Sequence, residues 1–301
     1  MKAVVLTAYG DAQKLEGRDV ADPKVGPNDI KVRMAGASIN PVDWKLRSGA
    51  LKAMMPLELP AILGRDASGV VVEIGTGVTE FKVGARVMGL VNGGYAELVV
   101  APIEAWAAIP AKMDIIDAGA LPLVLLTGAQ LVDEALNPRE GDVVLVTGAT
   151  GSVGRAAVFA AKSRGAKVWA GVRASQRAIA SKLGADGVVA LDDDGDIANL
   201  PQLDGIADTV GGEVIKKLLA KLKPGGTIGS VVGEPAGAKE RGFVVHGFWA
   251  HPDAKRLATL ALAVADGKLV IPIAKRLPLS DARNAQTLAE KGAGGKVVLT
   301  A

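Results

Sequence analysis

The segment Val144-Leu-Val-Thr-Gly-Ala-Thr-Gly-Ser-Val-Gly154 carries the sharpest chemical signal in this sequence. An apolar run ends at Thr147, glycines follow, and helix-compatible residues begin near Ser152. Glycine permits a tight turn and lets the backbone approach a pyrophosphate closely. The first turn of the following helix offers unpaired N–H groups and the positive end of its dipole. A GxGxxG pattern would begin at Ala149, so the motif reads AxGxxG with Gly151 and Gly154 retained. Alone, such a turn is as easily an ordinary strand-to-helix connection. The strand before, the helix after and further strand–helix units downstream favour a dinucleotide cradle. Thr150, Gly151, Ser152 and Val153 are then the expected pyrophosphate contacts.

An NAD site usually has an acid near the end of the second strand, on the ribose hydroxyls. Here that stretch, Trp169-Ala-Gly-Val-Arg-Ala-Ser-Gln-Arg177, has no acid and two arginines. A guanidinium suits forked contacts to a phosphate, so Arg173 and Arg177 point to NADPH. The plainer reading makes them solvated loop and helix charges. The turn also fits the TGxxGxxG of short-chain dehydrogenases, which need a Tyr and a Lys four residues apart. Tyr9 and Tyr95 are followed at that spacing by Gln13 and Val99, so that alternative fails.

The elements that must hold these residues can be read from periodicity. Short strands are expected at 2–6, 29–35, 67–74 and 95–100, separated by Gly26-Pro27, Gly75-Thr76-Gly77 and Asn92-Gly93-Gly94. Residues 115–134 are Ala/Leu-rich and read as helix interrupted at Pro122. Strands at 142–147, 166–172, 187–191, 206–210 and 227–232 then alternate with helices at 152–164, 175–183 and 213–222. Apolar strands alternating with helices imply a parallel sheet covered on both faces. Ligands sit at the carboxyl ends of such strands, which singles out Thr209, Val210, Val232 and Gly233. Phe248 and Trp249 follow another strand-like run and could cover a nicotinamide. Beyond them come a helix at 252–266, strands at 275–278 and 296–300, and a helix at 280–291.

Composition narrows the chemistry. The 301 residues are 49% hydrophobic and 22% charged, with net charge +3 and no Lys/Arg block. That is a globular profile without a nucleic-acid signature: no arginine-rich stretch and no aromatic–basic interleaving. With no cysteine, disulfides, thiolate catalysis and cysteine-zinc sites are excluded. The two histidines, His246 and His251, read as a strand-end residue and a cap or turn before Pro252. No apolar run reaches the roughly 18 residues of a membrane span. The amino terminus lacks a signal-peptide core, so a soluble cytoplasmic protein is expected.

Several phrases in order then resemble the zinc-free quinone oxidoreductases (zeta-crystallin-like) of the medium-chain dehydrogenase/reductase superfamily, along nearly the whole chain. They are Asn40-Pro-Val-Asp43, Pro60-Ala-Ile-Leu-Gly-Arg-Asp-Ala-Ser-Gly69, Gly94-Tyr-Ala-Glu97, Leu121-Pro-Leu-Val-Leu-Leu-Thr127, the glycine turn, Leu183-Gly-Ala-Asp186, Asp208-Thr-Val-Gly-Gly212 and Gly295-Lys-Val-Val-Leu299. The resemblance implies an α/β chain. A GroES-like β-rich domain would be built from both ends (1–118 and 251–301) around a central Rossmann domain (119–250), with cofactor and substrate in the cleft between them. It also implies that Asn40 and Trp44 line the nicotinamide end, that Thr127 contacts the nicotinamide amide and that Lys296 is a cofactor-side lysine. Core packing, a helix-interior hydroxyl and a solvated surface lysine are the plainer readings of Trp44, Thr127 and Lys296. Tyr95 has a suitable hydroxyl for proton transfer, but its Gly-Tyr-Ala-Glu setting favours a structural role. Asp43 and Arg65-Asp66 could form an ion pair. A homodimer through the edge strands is typical of the family.

The departures from zinc-dependent relatives are informative. Those carry a Cys within the stretch that is Ser38 to Asn40 here, a Gly-His-Glu in place of Gly64-Arg-Asp66, and a four-cysteine lobe. None of these ligands is present, so no metal is expected. Without a Lewis acid, alkoxide stabilisation is lost, whereas hydride delivery to a quinone or an α,β-unsaturated carbonyl remains feasible. NADPH-dependent reduction of such small molecules is the expected function. A zinc-free ketone or acyl-thioester reductase of the same fold, and a non-catalytic NADPH- or RNA-binding crystallin-like protein, stay open as alternatives.

Overall fold

The computed structural model describes every residue from Met1 to Ala301, and the chain falls into two units, Met1–Leu123 with Pro252–Ala301, and Val124–His251. The amino-terminal part supplies strands β1 (Lys2–Leu6), β2 (Leu15–Asp19), β3 (Asp29–Ser38), β4 (Ala61–Ile62), β5 (Asp66–Ile74), β6 (Arg86–Leu90), β7 (Leu98–Pro102) and β8 (Trp106–Ala108). Helix α1 (Pro41–Ser48) follows β3, and α2 (Ile115–Ala118) leads to α3 (Pro122–Gln130). Ile30, Val32 and Met34 alternate inward along β3 between more exposed Lys31 and Arg33, the period-2 pattern of a half-buried strand. Pro41 at its first turn and the Asp43 carboxylate on the Asn40 N–H (2.8 Å) start α1; Gly49, at φ +83°, ends it.

The middle unit holds β9 (Val143–Thr147), α4 (Ser152–Ser163), β10 (Lys167–Val172), α5 (Arg177–Ala180), β11 (Gly187–Ala190), α6 (Asp194–Ala198), β12 (Leu203–Asp208), α7 (Gly212–Leu218), β13 (Leu222–Ser230) and β14 (Val244–Gly247). Its sheet runs β11-β10-β9-β12-β13-β14, parallel throughout. The order reverses direction at β9, which is the Rossmann arrangement. Ala156, Ala157, Ala160 and Ala161 give α4 a fully buried face of small side chains.

The chain then returns to the first unit through α8 (Ala254–Ala265), β15 (Ile273–Pro278), α9 (Ala282–Glu290) and β16 (Lys296–Thr300). β16 pairs antiparallel with β3, setting Val298 opposite Ser38, and completes a sheet ordered β15-β16-β3-β5-β6-β8. Residues from both ends of the chain, among them Ile30, Val71, Trp106 and Leu299, share one core. No helix is long and apolar enough to cross a membrane.

Some element ends differ from the sequence expectation. The helix expected at 115–134 is interrupted ahead of Pro122 as the sequence suggests, but past Gln130 it widens into π-helical turns over Leu131–Leu136, stopped by Asn137 at φ 45°. The strand expected at 206–210 ends at Asp208, because the Asp208 carboxylate takes the N–H groups of Val210 and Gly211 out of the ladder. The helix expected at 213–222 ends at Leu218, and Leu222 already belongs to β13. Tyr95 lies ahead of its strand, which begins at Leu98.

Candidate functional site

In the middle unit the glycine turn joins β9 to α4. Gly148 stands at φ +63°, a conformation that disfavours a side chain, and a Cβ on Gly154 would lie 2.2 Å from the Gly148 carbonyl oxygen. Only glycines let the helix start this close to the strand. Gly151 is the helix N-cap and supplies no side-chain cap, so the first turn of the 12-residue α4 keeps its amides for a ligand. Thr150, Ser152 and Val153 are half-exposed around this turn, and the Thr150 carbonyl accepts from Arg155 Nε at 2.8 Å. The geometry fits a dinucleotide pyrophosphate.

Arg173 follows β10 directly, exposed and without an ion pair, its N–H held by Gln176 Oε1 at 3.3 Å. The acid nearest in the bonding pattern is Asp192, which accepts the Ala174 N–H at 2.8 Å. Arg177 differs from expectation: its guanidinium is paired with Asp196, whose carboxylate also takes the Ala190 N–H. That partner occupies the charge Arg177 was expected to offer a phosphate.

At the ends of β12 and β13, Thr209 is half-buried, Val210 and Val232 are exposed, and Gly233 stands at φ +111°. Phe248 is half-buried, with its N–H on the Ser230 carbonyl at 2.8 Å; Trp249 is 51% exposed. Thr127 is buried in α3. His246 is exposed on β14. His251 has its backbone bound in both directions to the Gln130 amide and its ring 3.0 Å from Glu134.

The first unit contains a buried polar cluster that the sequence did not announce as a unit. Asp66 Oδ2 accepts from Ser38 Oγ at 2.5 Å and from Asn40 Nδ2 at 2.8 Å, and Oδ1 accepts the Leu123 N–H at 2.7 Å. Lys296 Nζ donates to Asn40 Oδ1 at 2.5 Å and to the Ile39 carbonyl at 2.9 Å. Asp43 Oδ2 takes the Asn40 N–H and the Tyr95 hydroxyl, each at 2.8 Å, while Oδ1 has no partner. Burial pushes the Asp43 carboxyl up to about 7, against the lowering effect of its two donors. Burial pulls Lys296 down, opposed by Asp66 and Asp43; burial and then Asp43 raise the Tyr95 hydroxyl well above its ordinary range.

This cluster corrects several expectations. Lys296 is an internal cation, since β16 carries it inward. Tyr95 and Asn40 are both 0% exposed with their polar atoms spent inside the unit, so neither presents a group to solvent. Trp44 is half-buried on α1 and packs against the core. The ion pair expected of Arg65 with its acidic neighbours is absent: Arg65 Nη1 donates to Asn92 Oδ1 at 2.6 Å. The cluster also does not fit a zinc ion. Lys296 Nζ and Asn40 Nδ2 fill it with donors, and nowhere do three His, Cys, Asp or Glu side chains converge.

Fold and site together define a pyridine-nucleotide-binding α/β chain with a second, β-rich unit. Residues 26–111 match the alcohol dehydrogenase GroES-like domain, and residues 183–299 match the zinc-binding dehydrogenase domain. Over 199 residues the chain is 35% identical to the chloroplast envelope quinone oxidoreductase homolog of Arabidopsis thaliana, covering 63% of this chain and 60% of that one. The chain thus spans about 60% of the length of that curated relative. The solved quinone oxidoreductase of Coxiella burnetii is 30% identical with a TM-score of 0.88, over 100% of this chain and 99% of the other. A mycobacterial protein complexed with NADPH is 26% identical with a TM-score of 0.85, each chain covered completely at 100%. The chain belongs to the quinone oxidoreductase family of the medium-chain dehydrogenase/reductases.

Proposed function

We propose that this protein is an NADPH-dependent reductase of quinones or α,β-unsaturated carbonyls that works without zinc. The observation that carries the reading is the pairing, in one unit, of an uncapped helix N-terminus behind a glycine turn with the unpaired guanidinium of Arg173 at the end of β10. The first-turn amides of α4, at Ser152 and Val153, would bind the pyrophosphate. Arg173 would take the 2′-phosphate in a forked contact. When bound, the reduced nicotinamide supplies a hydride. Thr127, Thr209, Val210, Val232, Gly233, Phe248 and Trp249 remain its proposed neighbours. The relatives' names, quinone oxidoreductases of a plant and a bacterium, support the substrate class, and the NADPH complex of a similar protein supports the cofactor.

Asn40, Tyr95 and Lys296 contribute by holding other groups in place. Asn40 joins Lys296 to Asp66, and Asp66 fixes the start of α3 through the Leu123 N–H. The absence of a converging donor set for a metal favours substrates whose reduced anion is delocalised over a conjugated system, which hydrogen bonds alone can stabilise. Steady-state assays with NADPH and NADH on quinones, enones, ketones and primary alcohols test this. Turnover of quinones or enones with a preference for NADPH is expected; robust alcohol oxidation, or no turnover of any acceptor, contradicts it.

A further inference from the structure

An asparagine can modify itself when the backbone nitrogen of the next residue attacks its side-chain amide carbon. That nitrogen must carry a hydrogen and must not be tied up in a hydrogen bond. Of the asparagines in this chain, the backbone disarms all but Asn92. Asn40 and Asn137 precede prolines, which have no N–H. The N–H after Asn28 donates to the Gly26 carbonyl at 3.2 Å, and the one after Asn199 to the Ile197 carbonyl at 3.2 Å. Asn284 lies inside α9, where the N–H of Ala285 belongs to the helix ladder. Asn92 is exposed, is followed by Gly93, and the Gly93 N–H makes no hydrogen bond. No atom comes within 3.9 Å of the place where a Gly93 side chain would start, so nothing crowds the attacking residue.

A second observation points to the same residue. Asn92 lies just past β6, whose Leu90 pairs with Asp66, and the half-buried Arg65 donates from Nη1 to Asn92 Oδ1 at 2.6 Å. A guanidinium has only donors, so this contact fixes which end of the amide is oxygen. Asn92 Nδ2 makes no hydrogen bond of its own and is free to leave. Attack at the amide carbon drives negative charge onto Oδ1, the atom that the Arg65 guanidinium already holds. A charged donor placed where charge develops stabilises the transition state.

We propose that Asn92-Gly93 is a site of self-catalysed deamidation, with Arg65 as the group that stabilises its oxyanion. The Gly93 nitrogen gives up its proton to solvent and bonds to the Asn92 amide carbon. The bond from that carbon to Nδ2 breaks, and ammonia leaves with a proton from water. A five-membered succinimide remains. Water then opens it, with no change of oxidation state. Opening at the side-chain carbonyl gives aspartate, which supplies Arg65 with an anionic partner. Opening at the backbone carbonyl gives isoaspartate, which lengthens the main chain by a methylene just before Gly93. That stretch has no slack. The Gly94 N–H donates to the Gly64 carbonyl at 3.1 Å and the Tyr95 N–H to the Leu63 carbonyl at 2.9 Å. A Cβ on Gly94 would lie 2.3 Å from the Asp66 carbonyl oxygen. The added atom displaces these bonds and with them Tyr95, whose hydroxyl is held by Asp43.

The test incubates the whole protein, folded and in urea, at the same mildly alkaline pH. The peptide holding Asn92 is followed by mass spectrometry, with aspartate and isoaspartate separated by chromatography. Folded wild type should convert at Asn92 about 3- to 10-fold faster than the unfolded chain, the effect of one hydrogen bond to the oxyanion. The other asparagines should stay intact in the folded protein over the same time, and in heavy-oxygen water the new carboxylate should carry the label. Arg65→Met should slow the folded protein to the rate in urea and change nothing in urea, while Arg65→Lys, which keeps a charged donor, should fall between. Protein enriched in isoaspartate should melt about 2 to 4 °C lower than fresh protein. Conversion at Asn92 in urea but not in the folded protein overturns the site. Equal rates in folded wild type and in urea, or in folded wild type and Arg65→Met, overturn the role of Arg65. An unchanged melting temperature in the isoaspartate form overturns the link to Tyr95.

Discussion

Lys296 Nζ donates to Asn40 Oδ1 at 2.5 Å, across 256 residues of sequence. The bond closes the first unit, because Asn40 precedes α1 and Lys296 opens β16, the strand that the carboxy terminus lays against β3. The ammonium heads a buried chain of donors and acceptors that runs from Lys296 through Asn40 to Asp66. A methionine in its place would fill the volume but leave Asn40 Oδ1 and the Ile39 carbonyl without a donor, and Asp66 without a nearby cation. Lys296→Met is expected to lower stability by about 3 kcal/mol, measured by urea unfolding. A loss under about 1 kcal/mol would show that the buried cation does not hold the cluster together.

Asp43 gives this cluster a pH dependence. Burial raises its folded-state carboxyl to about 7, above the ordinary value of 3.8 that the unfolded chain would have. Its stabilising contribution is therefore complete below the unfolded value and is lost as pH rises through about 7, after which it stays level. Asp43→Asn mimics the protonated acid, since its amide oxygen can still accept from Asn40 and Tyr95. Relative to this variant, the wild type is expected to lose stability between about pH 4 and pH 7, by at most about 1.4 kcal/mol per pH unit. Denaturant unfolding of both proteins across that range checks the sign. Parallel curves for the two would place the Asp43 carboxyl in its ordinary range.

The fold class was legible because its signals are local. Apolar strands of about five residues, helices between them and a glycine turn at the first crossover appear within one continuous stretch. The polar clusters were hidden because their members are joined only by the fold. Asp66 meets Asn40 across 26 residues and Leu123 across 57, and no spacing rule links such positions. Lys296 illustrates the difficulty: a lone lysine opening a strand reads as a surface residue until the strand's register turns it inward. Asp208 left a fainter trace. An acid at the end of a strand, three residues before Gly211, is a recognisable candidate for capping its own turn. Arg177 could be misread because its partner, Asp196, lies on a different helix.

Arg173 should set cofactor preference. Arg173→Ala is expected to weaken NADPH binding about 10- to 100-fold and NADH binding little, the range for a hydrogen-bonded charged contact. Titration calorimetry with both cofactors distinguishes this from a general effect. Equal losses for the two would mean that the side chain does not recognise the 2′-phosphate. Arg177, already held by Asp196, should matter less to NADPH affinity than Arg173 does.

The donor-rich cluster at Lys296 and Asn40 leads to an expectation about metal. Protein purified without a metal-binding tag should carry no stoichiometric zinc by elemental analysis, and chelators should leave turnover unchanged. One zinc per chain, or activity lost to chelation and restored by zinc, would contradict the account.

Hydride transfer to a conjugated acceptor is the central claim, and product analysis with NADPH deuterated at the transferring position tests it most directly. Incubated with an α,β-unsaturated ketone, the protein should place deuterium on the β-carbon and leave the carbonyl carbon unlabelled. Deuterium at the carbinol carbon would identify a ketone reductase instead, and no transfer to enones or quinones would contradict the account altogether.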